Sequence, residues 1–291
     1  MPYGACVPLG ISSNAVTHRN HLPSPAVVMD WNLLRSMPTS HDVPAQYACI
    51  VPDHVFHEIA TTDSGDPTGF IRKFGAWAAR NAPRLWYGRT KEDLIKRQWQ
   101  SGGCHLSMQD VVHPAKTRQL RQFAAHPPYD WTEFLKTIKE SESIPYRAND
   151  TSLHVRVCDL IAQSWQKTYP NRPLPPQEIQ AEWIRGPELI EPFVNGLFAF
   201  RWRSEWTSTI AVDPNRFALV RWARFFAWYC MRRVEGEKRK FENNFDDAMY
   251  GLLASYTGHL GTRDHGLQRA MKAIFPRIRI LDRLVEIPLI Q

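Results

Sequence analysis

The sequence predicts an α/β fold: a mostly parallel central sheet interrupted by a large all-helical insertion. Three observations predict it. A strand–helix–strand–helix alternation runs from 25 to 68, the pattern of a parallel sheet, in which every crossover requires an intervening helix. The same alternation resumes from 241 to 291. Between them, 69–240 shows helical apolar spacing and helix caps, and no strand is expected there.

The chain has 291 residues, enough to bury a substantial core. Charged residues make up 22% and the hydrophobic set 43%, which excludes a disordered chain. The 36 Lys and Arg exceed the 29 Asp and Glu, giving +7 and a pI near 9.2. This balance favours polyanionic partners. Many of the 11 Trp stand beside Arg, as in FRWRSEW and RWARFFAWY. Such mixing serves base stacking or, the preferred reading, a helical core edged by arginines whose stems lie on it. The five cysteines are dispersed, with no C-x-x-C pair. Reduced thiols and a cytoplasmic setting are expected. The first twenty residues lack the apolar core of a secretory signal. The longest apolar stretch, 217–231, is broken by Arg221 and Arg224 and reads as a buried helix, so no membrane span is expected.

The first 24 residues mix Pro, Ser, Asn and His and read as a flexible arm. Ala26–Met29 is an apolar strand ending on Asp30, and a short helix begins at Trp31. Ala48–Val51 forms the second strand. Pro52 then suits the first turn of a helix carrying Val55, Phe56, Glu58 and Ile59. TTDSGDPTG breaks the alternation. Phe70, Phe74, Trp77 and Ala78 then follow helical spacing; Thr90 with Asp93, and Asp130 with Glu133, have capping-box form. Leu153, Val157, Leu160, Ile161 and Trp165 make an apolar stripe, NRPLPPQ is a turn, and Asp213–Pro214 reads as a helix start. The alternation returns as a helix opened by Asp246 and Asp247, a strand over 260–262, a helix, and a last strand.

Two strands thus end on carboxylates. Asp30 closes the first, and Asp264, seventeen residues beyond Asp247, closes the strand near Leu260. Ligands bind at the carboxyl ends of parallel strands, so Asp30, Asp264 and Asp247 are expected at one edge, with Glu58 facing the same place. Clustered carboxylates repel and take up protons unless a cation neutralises them. Hard oxygen donors suit Mg²⁺ or Mn²⁺.

The blocks VVMDWNLLRS, IVPDHVFHEIATT and DDAMYGLLASYTGHLGTRDHGLQ resemble the PIN-domain ribonuclease family, within the PIN-like and 5′-nuclease superfamily. In the last block an Asp followed by Ala248–Met249 and a strand ending T-x-D carry the likeness, with Thr262 and Asp264 at the T-x-D. Trp31 stands where that family usually has a small residue, and the helical insertion is longer than in its compact members. The resemblance implies a three-layer α/β/α nuclease core spanning 25–68 and 241–291, and metal-dependent endonucleolytic cleavage, usually of RNA. Asp30, Asp247 and Asp264, with Asp246 as the alternate ligand, would hold the ion. Glu58 would orient water or hold a second metal, at about 3.5–4 Å from the first. Asn32 and Thr262 would support these ligands, and Arg263 and His265 would touch the substrate backbone. The partner expected is RNA, single-stranded by preference, with DNA also compatible; the insertion offers a surface for a second copy or a protein partner. A toxin, a defence effector and a processing enzyme all fit.

Other readings compete. Asp30 and Asp264 also suit helix N-caps, and Glu58 a solvated helix position. A Rossmann-like phosphatase or phosphotransferase would use Asp30 as nucleophile but generally needs a second acid at position 32, which is Asn. A non-catalytic nucleic-acid or partner-binding module would keep the fold without the chemistry. HVFHE is not the H-E-x-x-H of a zinc protease, and SGGCH reads as a turn.

Overall fold

Short runs of apolar side chains, AVVM and ACIVP among them, form the sheet, and every residue of these two strands is buried. Such unbroken runs are expected of parallel strands covered on both faces. The computed structural model describes residues 21–36, 43–44, 46–61, 67–101, 105–125, 155–156, 158–160, 162–163, 166–167, 170, 172–186, 217–237 and 241–283. Five strands are present among them: β1 (Ala26–Met29), β2 (Ala48–Pro52), β3 (Leu85–Gly88), β4 (His259–Gly261) and β5 (Arg279–Leu281). They lie in the order β3-β2-β1-β4-β5, and all four pairings are parallel. Val28 sits opposite Ile50 on one side and Leu260 on the other, which aligns the carboxyl ends of β1 and β4.

Among the helices that accompany these strands are α1 (Trp31–Ser36), α2 (Asp53–Thr61), α3 (Pro67–Asn81), α4 (Lys91–Gln100), α5 (Pro114–Ala125), α6 (Gln177–Arg185), α7 (Ala218–Val234), α8 (Phe241–Thr257) and α9 (His265–Ile274). The chain steps from β1 out to β3 in one direction and from β4 to β5 in the other. Right-handed crossovers therefore place α1–α3 on one face of the sheet and α9 on the opposite one. Helix α8 lies along β1, β2 and β4, while α5 covers β3. Helix α7 in turn packs on α8, α4 and α6.

The Trp- and Arg-rich segment RWARFFAWY is core. In α7 the run from Ala218 to Arg232 is buried apart from Arg221. Its arginines lie on aromatic faces: Arg221 is 4.0 Å from the Tyr256 ring centroid and Arg232 is 4.3 Å from that of Trp228. The close crossing of α7 and α8 depends on Gly251, where an added Cβ would lie 2.2 Å from the Phe225 ring. Helix α8 ends at Gly258, whose φ of 79° supplies the left-handed turn into β4.

The structure corrects four expectations. Leu85–Gly88 is a strand inside the stretch expected to be all helical, paired with Cys49–Pro52. A four-residue apolar run carries too little periodicity to separate strand from helix. Helix α8 begins at Phe241, so Asp246 and Asp247 lie within it instead of opening it, and its end dipole does not account for them. Pro52 closes β2, leaving Asp53 to begin α2. Leu160, placed in an apolar stripe, is 64% exposed.

Other expectations hold. Thr90 accepts the Asp93 amide at 3.1 Å at the start of α4, and 172–176 is irregular before α6. FRWRSEW, Asp130 with Glu133, Asp213–Pro214, the rest of the stripe and residues 1–20 of the arm expected over 1–24 lie outside the described residues. Near the end of that arm Leu22 is buried and exchanges two hydrogen bonds with the Gln109 side chain. Cys49, Cys158 and Cys230 are buried free thiols. Among the described residues no helix is long and apolar enough to cross a membrane.

Candidate active site at the carboxyl ends of β1 and β4

Strand order reverses between β1 and β4, the place where open parallel sheets leave a crevice for ligands. Both strands deliver a carboxylate there. Asp30 directly follows β1, and its amide continues the ladder by donating to the Gly261 carbonyl at 2.9 Å. Its side chain is 1% exposed. Oδ1 accepts the Asn32 amide at 3.2 Å, the bond that starts α1, and Oδ2 accepts the Thr262 hydroxyl at 2.6 Å.

Thr262 is fully buried and joins the two strand ends. Its hydroxyl donates to Asp30 and accepts the Asp264 amide at 3.0 Å, using one donor and one lone pair. Its carbonyl accepts the Gln268 side-chain amide at 3.0 Å. Asp264 caps α9, its Oδ1 accepting the Leu267 amide at 2.8 Å. The capping reading of both acids is therefore correct, and it leaves their position at the crevice unchanged.

Burial pushes the Asp30 carboxyl up to about 6. Hydrogen bonds from Thr262 and Asn32 oppose this, and the Asp264 carboxylate reinforces it. Among the described residues no cation acts on Asp30. That is the state of a buried acid for which a proton or a bound cation is the remaining source of compensation.

Glu58 bonds to, and Asp247 acts electrostatically on, a residue the sequence did not single out. Tyr250, fully buried in α8, accepts the Trp31 amide at 3.3 Å and donates to Glu58 Oε1 at 3.3 Å. Burial first, then the carboxylates of Glu58, Asp30 and Asp247, raise this phenol well above its ordinary range. Three of the five predicted acids therefore act on one hydroxyl. Asp264 joins them through Asp30, and it acts with Asp247 on buried Tyr229. The Trp31 ring is buried in the core and presents no stacking surface.

The remaining predicted residues divide. Asn32 reaches Asp30 through its amide, and its side chain also favours the ionised carboxyl. Arg263 and His265 are exposed beside Asp264, Arg263 donating to the Asp282 carbonyl at 3.2 Å. Asp246 lies in α8, but its side chain falls outside the described set.

Two features were missed. Tyr250 sits in the apolar-looking AMYGLL, where nothing in the sequence marks its hydroxyl. Asp53 follows β2 as Asp30 follows β1, and the strand-end rule applied to Asp30 would have found it. It is buried, accepts the Tyr87 hydroxyl, and lies 3.7 Å from the Lys116 ammonium. The His54 ring packs edge-on against Tyr250, with centroids 3.9 Å apart.

No family model, curated protein or solved structure gives a significant match to this chain. The chemistry must be read from the residues. The donors are carboxylate and hydroxyl oxygens, and among the described residues Asp30 has no cationic partner, which fits a hard divalent ion. Among the described residues, however, no three His, Cys, Asp or Glu side chains stand as a ready metal-holding group. Both Asp30 oxygens are already hydrogen-bonded, so an incoming ion would compete with Thr262 or Asn32 for them.

Proposed function

We propose that the protein is a PIN-type, metal-dependent endoribonuclease acting on single-stranded RNA, with Asp30, Asp247 and Asp264 holding Mg²⁺ or Mn²⁺. The single observation that carries the reading is Asp30, a buried carboxyl raised to about 6 at the strand-order reversal, with Asp264 beside it and, among the described residues, no cation to balance it. Helices on both faces of the sheet agree with the three-layer core expected of that family.

Each residue has a stated task in this reading. Asp30 is a ligand above pH 6, where its carboxyl is ionised. Thr262 holds it toward the crevice while fixing the backbone that carries Asp264. Glu58, oriented by Tyr250, accepts a proton from water attacking the phosphodiester. Asp247 adds negative charge on the α8 side. The bound ion would supply neutralisation of the phosphate's developing charge and a more acidic water.

The test is incubation of labelled single-stranded RNA with the purified protein in Mg²⁺ or Mn²⁺ and in EDTA. Asp30→Asn and Asp264→Asn variants run alongside. Cleavage by the wild type in metal, lost in EDTA and reduced at least a hundredfold in both variants, is expected. Uncut RNA with the wild type, or equal cutting by the variants, rejects the proposal.

A further inference from the structure

Beside the carboxylate crevice, the β5 edge of the molecule carries a concentration of positive charge. Between 263 and 283 the sequence places Arg263, Arg269, Lys272, Arg277, Arg279 and Arg283 against two acids, Asp264 and Asp282. Four basic side chains of this stretch, Arg263, His265, Lys272 and Arg283, rim a cleft of about 650 Å³. All four are exposed, and among the described residues none forms an ion pair. Arg263, Lys272 and Arg283 outnumber the one acid that lines the cleft among the described residues, Asp282, and this excess of positive charge lowers the cost of binding an anion there.

The floor has different chemistry. Pro276, Ile278 and Ile280 line it between the cationic walls, and Gln268 adds an amide. A small inorganic anion would leave those aliphatic surfaces unused. A nucleic-acid strand uses both, with phosphates against the rim and the faces of unpaired bases against the floor. Only a strand with unstacked bases can place them in a concavity of this size, so a duplex is a poor fit. The cleft is tied to the crevice by its lining residues: Arg263 and His265 flank Asp264 in the chain, and Gln268 bonds the Thr262 carbonyl at 3.0 Å.

We propose that this cleft between α9 and β5 is a single-strand binding groove holding the RNA segment next to the cleavage point. The identity of that strand as substrate rests on the nuclease reading, but the groove itself does not. Lys272 and Arg283, eight and nineteen residues beyond Asp264, are its anchoring residues. Arg263 and His265 connect it to the crevice.

The experiment separates the two ideas by measuring binding without chemistry. A fluorescein-labelled twelve-nucleotide uridine RNA is titrated with protein in EDTA over a range of salt concentrations, and anisotropy is read. The test protein is the double variant Lys272→Ala with Arg283→Ala. Lys96→Ala with Arg118→Ala, at exposed positions of α4 and α5, is the control. All four positions are solvent-facing, and a thermal melt verifies that each variant folds. The cleft variant should lose about tenfold or more in affinity. Its slope of log K against log salt should be shallower by about 1.4, since each lost phosphate contact removes about 0.7 on a single strand. The control should match the wild type.

Wild-type affinity and slope in the cleft variant, or an equal loss in the control, overturns the groove. Equal affinity for a duplex of the same length overturns its single-strand character. If the cleft variant loses binding while the wild type cuts no RNA in Mg²⁺ or Mn²⁺, the groove stands and the nuclease reading falls. If the wild type cuts RNA and the cleft variant binds normally, the reverse holds.

Discussion

The Thr262 hydroxyl donates to Asp30 Oδ2 at 2.6 Å and accepts the Asp264 amide at 3.0 Å. One buried oxygen thus couples the ends of two adjacent parallel strands, and both of its bonds involve a residue of the candidate site. Thr262→Val keeps the shape and removes both bonds. A buried carboxylate oxygen and a backbone amide then lose a partner, a change expected to cost about 1–3 kcal/mol each when no water replaces it. Loss of the Thr262 donor also removes a bond that favours the ionised acid, so Asp30 should titrate above its present value of about 6. Urea melts measure the first effect. In a cleavage assay, an acid limb that stays at the wild-type pH rejects the second.

Asp30 makes a pH prediction with a definite sign. Its carboxyl titrates near 6 when folded and near 3.8 in its ordinary state. Between these values the native state binds more protons than the unfolded one, so stability falls as pH rises from about 4 to 6 and the loss is complete above 6. The corresponding free energy is about 3 kcal/mol at most, by the usual conversion of pKa differences. Asp30→Asn, which removes the charge, should therefore be more stable than the wild type at pH 8 and close to it at pH 4. A variant less stable at pH 8 than at pH 4, relative to wild type, refutes this account.

A bound divalent ion should offset the same cost. At pH 8, Mg²⁺ or Mn²⁺ at ten times its dissociation constant should stabilise the wild type by about 1.4 kcal/mol. Asp30→Asn and Asp264→Asn should each remove most of that gain. Melting temperatures indifferent to metal in the wild type count against an ion at these carboxylates.

The α7–α8 crossing gives a packing prediction away from the site. Ala is favoured over Gly within a helix by about 1 kcal/mol, yet at Gly251 a Cβ would lie 2.2 and 2.6 Å from Phe225 ring atoms and 2.8 Å from Met271 Sδ. Overpacking of this kind costs about 1–3 kcal/mol and outweighs the propensity gain. Gly251→Ala should lower stability, and adding Phe225→Leu should recover part of the loss. A double-mutant cycle with no coupling between the positions rules out the clash as the cause.

Particular residues show what the sequence could and could not convey. Asp30 and Asp264 were legible because a carboxylate ending an apolar strand conflicts with its surroundings, and such conflict is visible locally. Asp53 obeyed the same rule but was hidden by Pro52, which was assigned to the helix start. Glu58 and Asp247 were legible as acids expected at the same sheet edge, but the buried Tyr250 phenol on which both act together with Asp30 was not. Tyr250 itself was illegible: a tyrosine in an apolar helix looks the same whether its hydroxyl is at a surface or between carboxylates. Strand β3 was missed because four residues specify no period, while the arginines of α7 were correctly read as lying along aromatic core.

The sequence by itself determined which segments bury apolar faces, where helices begin at Thr90 and Asp264, and which strands end on acids. These are properties of neighbouring residues and their spacing. Only the tertiary structure decided that β1 and β4 are adjacent, that Thr262 bonds both strand-end acids, and that the cations of 263–283 rim a cleft instead of a flat face. Those relations join residues as far apart as Asp30 and Thr262, 232 positions along the chain. They follow from strand order and packing, which no local pattern encodes.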